Sequence, residues 1–189
     1  MKAITFLPAA ALAMTLAAGC AGTASTDTGS ADITAETRSD AAIKAAIESA
    51  AKDVIYISES DYPWSYVTAK GDPAGNGPLT VEQVRTLFAS YVDGDPDTDK
   101  PMAKLASETR TWEEWTEGEL GEPCEGNEDC LKSQKLYETL GKELTDRQVF
   151  IFGQDGSDGY VNGVAVSIFV VGRTPQGNWA GVRTIAIWT

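Results

Sequence analysis

"GVAVSIFVVG" spans residues 163–172 and is the stretch that decides the fold class. Apolar side chains occupy both alternating sets of positions, one set being Val164, Val166, Ile168 and Val170 and the other Ala165, Ser167, Phe169 and Val171. Successive side chains of a strand point to opposite faces of a sheet, so a strand that is apolar in both sets is covered on both faces. The stretch therefore predicts a central strand between two packed layers.

Further strands are predicted on either side of this one. "QVFIF" (148–152) precedes it, and "WAGVRTIAIWT" (179–189) follows after "RTPQGNW", which has Pro175 and Gly177 at turn positions. Earlier in the chain, "YPWSYVTA" begins another strand. Because strands that follow one another after short turns pair antiparallel, the end of the chain predicts an antiparallel block.

Three helices are predicted before that block, from apolar residues that recur every three or four positions. The first runs from Ser39, a suitable N-cap, to about Ile57, and the second begins at a capping box, Thr80-Val81-Glu82-Gln83. The third covers about Asp129 to Leu144. Helices followed by antiparallel strands predict an α+β fold, a sheet with helices packed against it.

The composition of the 189 residues excludes several functions. There are 28 Asp and Glu against 15 Lys and Arg, a net charge of -13, and no histidine. The acidity argues against binding to nucleic acid or anionic membranes, and it fits either a basic partner or simple solubility. Without histidine, Ser-His-Asp and Cys-His catalysis and every histidine metal site are excluded. The acidic run 93–101 lacks the ligand spacing of a calcium loop, so no metal and no cofactor are predicted.

The first twenty residues, "MKAITFLPAAALAMTLAAGC", have the basic start and apolar run of a secretory signal. Their Leu-Ala-Ala-Gly-Cys ending resembles a bacterial lipobox, which implies cleavage before Cys20 and lipidation of that residue. The prediction is a signal peptide at 1–19, lipidated Cys20 with a flexible tether at 20–38, and a folded domain at 39–189. The protein would be anchored on the extracytoplasmic side of a bacterial membrane. An ordinary cleaved signal with unmodified Cys20 is the alternative.

Export also bears on the two remaining cysteines. Cys124 and Cys130 lie close together in the polar segment "EPCEGNEDCLK". In an oxidising compartment they are expected to form a disulfide that closes a short loop. Two cysteines alone make a poor metal site.

Glu59 is the most unusual carboxylate of the sequence. It lies in "VIYISESDYPWSYV" (54–67), between an apolar run and an aromatic pair. A carboxylate beside apolar residues needs a partner, which is the chain's own backbone or serine hydroxyls, a metal, a substrate or another protein. The sequence of these residues leaves the four alternatives open.

Two segments together resemble the nuclease A inhibitor-like (NuiA-like) family. They are "ISESDYPW" after the first helix and "VVGRTPQGNWAGV" entering the last strand, with Thr189 as the final residue. The resemblance covers about Ser39 to Thr189 and is loose between Lys70 and Thr145. It implies an α/β/α sandwich with a largely antiparallel sheet between helical layers.

The resemblance also implies a function. Members inhibit a sugar-nonspecific, magnesium-dependent nuclease, and the Glu of the Ser-Glu-Ser block and the final Thr enter the nuclease active site. Here these residues are Glu59, expected at the end of a helix, and Thr189. Glu114 and Trp115 of "EEW" match a further contact of the family, although Trp115 is equally suited to the core. The implied partner is a nuclease protein, and a monomer is expected.

Two other functions remain open. One is a carboxylate-based glycosidase that pairs Glu59 with Glu114 or Asp155, which would show turnover. The other is a surface lipoprotein of the same fold with a partner that is not a nuclease. An inhibitor instead predicts stoichiometric block of a nuclease and no turnover.

Overall fold

The computed structural model describes residues 38–71, 75, 77–92, 105–156, 159–160 and 163–189. These residues belong to one compact unit, Glu36–Thr189. The predicted signal peptide, Cys20 and most of the predicted tether lie outside the described residues, as does the whole acidic run 93–101. In the part of the chain that is described, no helix is both long and apolar enough to span a membrane.

The elements alternate along the chain and have the following bounds. The helices are α1 (Asp40–Ala51), α2 (Val81–Val92), α3 (Trp112–Leu120) and α4 (Glu128–Glu143). The strands are β1 (Ile55–Tyr56), β2 (Tyr62–Pro63), β3 (Ser65–Ala69), β4 (Ala106–Thr111), β5 (Thr145–Gly153), β6 (Asp155–Gly156), β7 (Gly159–Tyr160), β8 (Ala165–Arg173) and β9 (Trp179–Ile187).

The main sheet has five strands in the order β3-β9-β8-β5-β4, and every neighbouring pair is antiparallel. The strand predicted from 163–172, β8, is the middle one. Two short hairpins, β1-β2 and β6-β7, form separate two-stranded sheets. The predicted α+β fold with an antiparallel sheet is confirmed.

Helices cover both faces of the sheet. On one face Ile168 and Val170 of β8 share a core with Ile43 and Ile47 of α1 and with side chains of α3 and α4. On the other face Phe169 belongs to a second core with Phe88 of α2, the two rings lying 5.7 Å apart. Alternate residues of one strand thus enter two cores, and the predicted α/β/α sandwich is confirmed.

The helix starts follow the predicted capping. Ser39 Oγ accepts a hydrogen bond from the amide of Ala42 (3.3 Å). At α2, the Gln83 amide donates to Thr80 Oγ1 (3.3 Å) and the Thr80 amide donates to Gln83 Oε1 (2.7 Å). Each such cap satisfies amides that the helix leaves unpaired and stabilises the helix by about 1 kcal/mol.

The first helix is shorter than predicted, because it ends at Ala51 and not at Ile57. Asp53 takes a positive φ of 59° and turns the chain out of the helix. Val54 still enters the core, which explains why it continues the apolar stripe, while Ile57 is 66% exposed. Beyond the turn, β1 pairs with β2, and backbone pairing in that hairpin replaces further helix.

Helix α3 and the disulfide complete the layer beside α4. The sequence assigned no structure to the α3 segment, which is acidic and weakly amphipathic. Its start is a capping box between Thr111 and Glu114, and one side chain, Trp115, anchors it in the core. Cys124 and Cys130 form the predicted disulfide, which closes the loop leading into α4.

Candidate binding site at the Glu59 loop

Glu59 lies in the loop between β1 and β2, not at a helix end as expected. The early end of α1 is the reason, since residues 52–57 form a turn and a strand before the loop begins. The Glu59 side chain is exposed. The loop therefore presents this carboxylate to solvent at the tip of a hairpin.

Hydrogen bonds fix the backbone of this loop from within. Ser58 Oγ donates to the carbonyl of Ser60 (2.6 Å) and accepts from the Ser60 amide (3.3 Å). Ser60 is thereby held in a tight turn around Glu59. The two serines that flank Glu59 in the sequence thus order the backbone of the loop.

The same loop is bound to the last strand of the sheet. The amide of Glu59 donates to the carbonyl of Ile187 (3.0 Å), and the amide of Ile187 donates to Ser58 Oγ (3.2 Å). Thr184 Oγ1 lies within hydrogen-bond distance of the carbonyl oxygens of Tyr62 (3.2 Å) and Pro63 (3.3 Å). The hairpin and the end of β9 therefore form one connected edge of the domain.

The two residues that the resemblance singled out meet at this edge. Thr189 Oγ1 donates to Glu59 Oε1 over 2.8 Å, and both side chains are exposed. A carboxylate has about four acceptor positions, so this bond leaves Glu59 able to accept several more. The carbonyl of Trp188 accepts from the amide of Gly163 (2.9 Å), which holds the segment before Thr189 from another side.

Aromatic rings support the edge from below. Tyr56 is half-buried and stacks on Trp115, with ring centres 6.1 Å apart, and it meets Trp64 edge-on at 5.8 Å. Trp115 is only 1% exposed. As a core residue it has no surface to offer a partner, so its contribution to the edge is support for Tyr56, and we leave it out of the binding surface.

Glu114 is exposed and caps α3. Its Oε2 accepts from the amide of Thr111 (2.9 Å), and this bond lowers the pKa of Glu114 below its ordinary value. A glycosidase needs an acid whose pKa is raised, so Glu114 is unsuited to that role. The other residue considered for such a pair, Asp155, begins β6, and its side chain is outside the described part of the structure.

Two groups beside the loop were missed by sequence reasoning. The Tyr56 hydroxyl donates to Glu119 Oε1 of α3 over 3.4 Å. Partial removal from water raises the pKa of Glu119, and burial raises the pKa of Tyr56. No motif marks either residue, because 63 positions separate them and only the packing of α3 on the hairpin brings them together.

Acidic groups near the edge are spread out and not gathered into a cage. Within the described ranges, no group of three or more Cys, Asp or Glu side chains is placed to hold a metal ion. The exposed Glu59 carboxylate can offer acceptor oxygens to a cation or a donor group that another molecule supplies.

Comparison with known proteins agrees with the two resembling segments. Residues 41–189 match a family model described as nuclease A inhibitor-like protein. No curated protein matches the chain. The matched range includes the Glu59 loop, the whole five-stranded sheet and Thr189.

Proposed function

The chain belongs to the nuclease A inhibitor-like protein family, and from this premise we propose that it inhibits a sugar-nonspecific, magnesium-dependent nuclease by entering its active site with Glu59 and Thr189. The family is one of inhibitors, and the function proposed here is binding without turnover. The observation that carries the proposal is the 2.8 Å hydrogen bond that joins these two exposed residues.

The chemistry of a nuclease site explains why such a pair inhibits. The enzyme binds a phosphodiester through Mg²⁺ and cationic side chains, all of which favour negative oxygen. The Glu59 carboxylate offers oxygens of this kind on an exposed edge, and the Thr189 hydroxyl beside it is bonded to one of them. The carboxylate contains no phosphodiester bond to cleave, so the nuclease remains occupied.

A preformed edge increases affinity. Ordering a free loop on binding costs conformational entropy, whereas this loop is already bonded to Ile187 through Ser58 and the Glu59 amide. The hydrogen bond from Thr189 restricts the Glu59 carboxylate in the same way. Most of the ordering is complete before the nuclease arrives.

The experiment that tests the function is a titration of nuclease activity. The purified full chain is added to magnesium-dependent nucleases that cut both DNA and RNA, with each substrate measured separately. The proposal predicts loss of activity that is complete near one inhibitor per enzyme and equal for both substrates. Full activity of every nuclease at excess inhibitor, or turnover of a glycoside by the chain itself, would contradict it.

The location of the protein is part of the proposal. A lipid anchor at Cys20 would hold the inhibitor outside the cytoplasm, so the target nuclease would be a secreted or foreign one. Mass spectrometry of the protein from bacterial membranes tests this point. The expected result is an acylated N-terminal Cys20, which Cys20→Ser abolishes, and a mature chain with unmodified Cys20 would contradict it.

A further inference from the structure

A cleft opens beside the Glu59 loop, between β1 and the helical layer. It has a volume of about 170 Å³. Ile57, two residues before Glu59, forms part of its wall, and Glu119 of α3 and Cys130 of α4 lie on the other side. Pockets for drug-sized molecules are about 300–1,000 Å³, so this cleft has room for one long side chain but not for such a ligand.

Part of the cleft wall, next to the Glu59 loop, is apolar. Ile57 is 66% exposed, an unusual position for a large aliphatic side chain. Tyr56, which rests on Trp115, and Leu120 supply the adjoining surface. Together with Ile57 they form a small apolar surface next to the Glu119 carboxylate.

Glu119 is a residue of the cleft whose carboxylate oxygens can accept further hydrogen bonds. Its hydrogen bond from Tyr56 is long, at 3.4 Å, and no lysine or arginine nitrogen among the described residues lies within 4.0 Å of its carboxylate. Arg110 influences Glu119 electrostatically but is bonded to Glu108 (2.6 Å). The other carboxylate of the cleft, Asp129, already pairs with Lys132 (3.1 Å).

We propose that this cleft receives one arginine or lysine side chain of the nuclease that binds at Glu59, with the charged head on Glu119 and the aliphatic stem against Ile57 and Tyr56. The inference rests on the proposed function and adds a second subsite to it. Arginine and lysine bury their stems on apolar surface while the head reaches an acceptor.

Charge and position favour this occupant over an apolar one. An apolar side chain would fill the cleft but leave the Glu119 carboxylate without a charged partner. The chain has a net charge of -13, which favours association with a basic partner. Because Ile57 and Glu59 belong to the same segment, one nuclease surface can cover both.

The first test is inhibition of a nuclease by Glu119→Gln. The variant keeps the shape and an oxygen for Tyr56 but removes the charge, and it is expected to weaken inhibition at least fivefold. The matched control is Glu117→Gln, an exposed carboxylate on the same helix, which is expected to change the inhibition constant less than twofold. Glu59→Gln is measured in parallel and reports on the proposed function alone.

The pattern of the three variants separates the two ideas. Weakening by Glu59→Gln with no effect of Glu119→Gln would overturn the cleft proposal and leave the function standing. If no nuclease is inhibited, the proposed function fails, and a second measurement decides the cleft by itself.

That measurement is an NMR titration of the labelled full chain with the peptide acetyl-Gly-Arg-Gly-amide. The expected result is a set of amide shifts centred on Ile57, Glu119 and Cys130 that disappears in Glu119→Gln. The same peptide with neutral citrulline is expected to give none of these shifts. Equal shifts with both peptides, or shifts that persist in Glu119→Gln, would overturn the proposal.

Discussion

The Glu59 carboxylate accepts a hydrogen bond from Thr189, which lies 130 positions away in the sequence. Composition and periodicity do not reveal such a pair, because neither carries information on which residues meet across the fold. The resemblance to a family did indicate both residues, although it placed Glu59 at a helix end. The positive φ at Asp53 could not be predicted from the sequence. It ends α1 early, and the residues that follow form the β1-β2 hairpin.

The hydrogen bond between these residues predicts the effect of Thr189→Val. The variant keeps the shape but removes the donor that orients the Glu59 carboxylate, so the cost of ordering that side chain, about 0.5–1.5 kcal/mol, falls on binding. We expect inhibition to weaken about two- to tenfold with only a small fall in the unfolding temperature, because the lost bond is exposed to water, measured by nuclease titration and circular dichroism. Thr139→Val, on α4, is the matched control, and equal inhibition by both variants would contradict the role of Thr189.

Two carboxylates of α3 predict opposite effects of pH on stability. The pKa of Glu114 is lowered in the fold, so its contribution is present above the unfolded pKa of about 4.3 and is lost as the pH falls. The pKa of Glu119 is raised, so its protonated form is favoured in the fold, and stability falls as the pH rises through the folded pKa.

Urea unfolding at a series of pH values checks both signs. Relative to the original chain, Glu114→Gln is expected to be least stable at neutral pH, and the difference is expected to shrink toward pH 3. Glu119→Gln is expected to gain stability relative to the original chain as the pH rises from 3 to 7. If the free energy of unfolding changed with pH in the same direction for both variants, relative to the original chain, the opposite pKa shifts of Glu114 and Glu119 would be contradicted.

At the scale of elements, strands were easier to predict than helix ends. The largely apolar residues at both alternating sets of positions of β8 indicated that it is a central strand. The capping residues of α1 and α2 could also be recognised in the sequence. Helix α3 was not predicted, because Trp115 is its one fully buried residue and six of its nine residues are polar or glycine. The order of strands in the sheet was not predictable either, since it depends on contacts among segments far apart.

The contact between β8 and β9 predicts the effect of Gly181→Ala. A Cβ at Gly181 would lie 2.0 Å from the carbonyl oxygen of Val170, which is backbone and cannot move aside cheaply. We expect a loss of about 1–3 kcal/mol or more in the free energy of unfolding, measured in urea.

Gly118→Ala is the matched control for that variant. Gly118 lies in α3 with nothing within 4 Å of its added Cβ, so the variant is expected to gain about 0.4–1 kcal/mol. Equal stability of the two variants would show that the close approach of the central strands is not as described.

At the scale of the molecule, two cores on opposite faces of one sheet hold the hairpin and the end of β9 in a fixed relation. The excess of acidic residues, which is evident from the composition, also acts at this scale. It determines the electrostatic field around the whole domain and not any single contact. Composition could not say whether that charge serves a partner or only solubility. Membership of an inhibitor family favours the partner.

Electrostatic steering predicts that association with the nuclease depends on salt. Screening shortens the reach of the field from about 30 Å at 0.01 M to about 3 Å at 1 M ionic strength. We expect the association rate constant to fall at least tenfold between 50 and 500 mM NaCl, with a much smaller change in the dissociation rate constant, both measured by stopped flow. An association rate that is independent of salt would contradict steering.

The most direct test of the central claim is the inhibition constant of Glu59→Gln against a nuclease that the original chain inhibits. Glu48→Gln, an exposed carboxylate paired with Lys44 on α1, is the control for the loss of one charge. The account predicts at least a tenfold increase in the inhibition constant, about 1.4 kcal/mol, for Glu59→Gln and less than a twofold change for Glu48→Gln. Equal inhibition by Glu59→Gln and the original chain would contradict it.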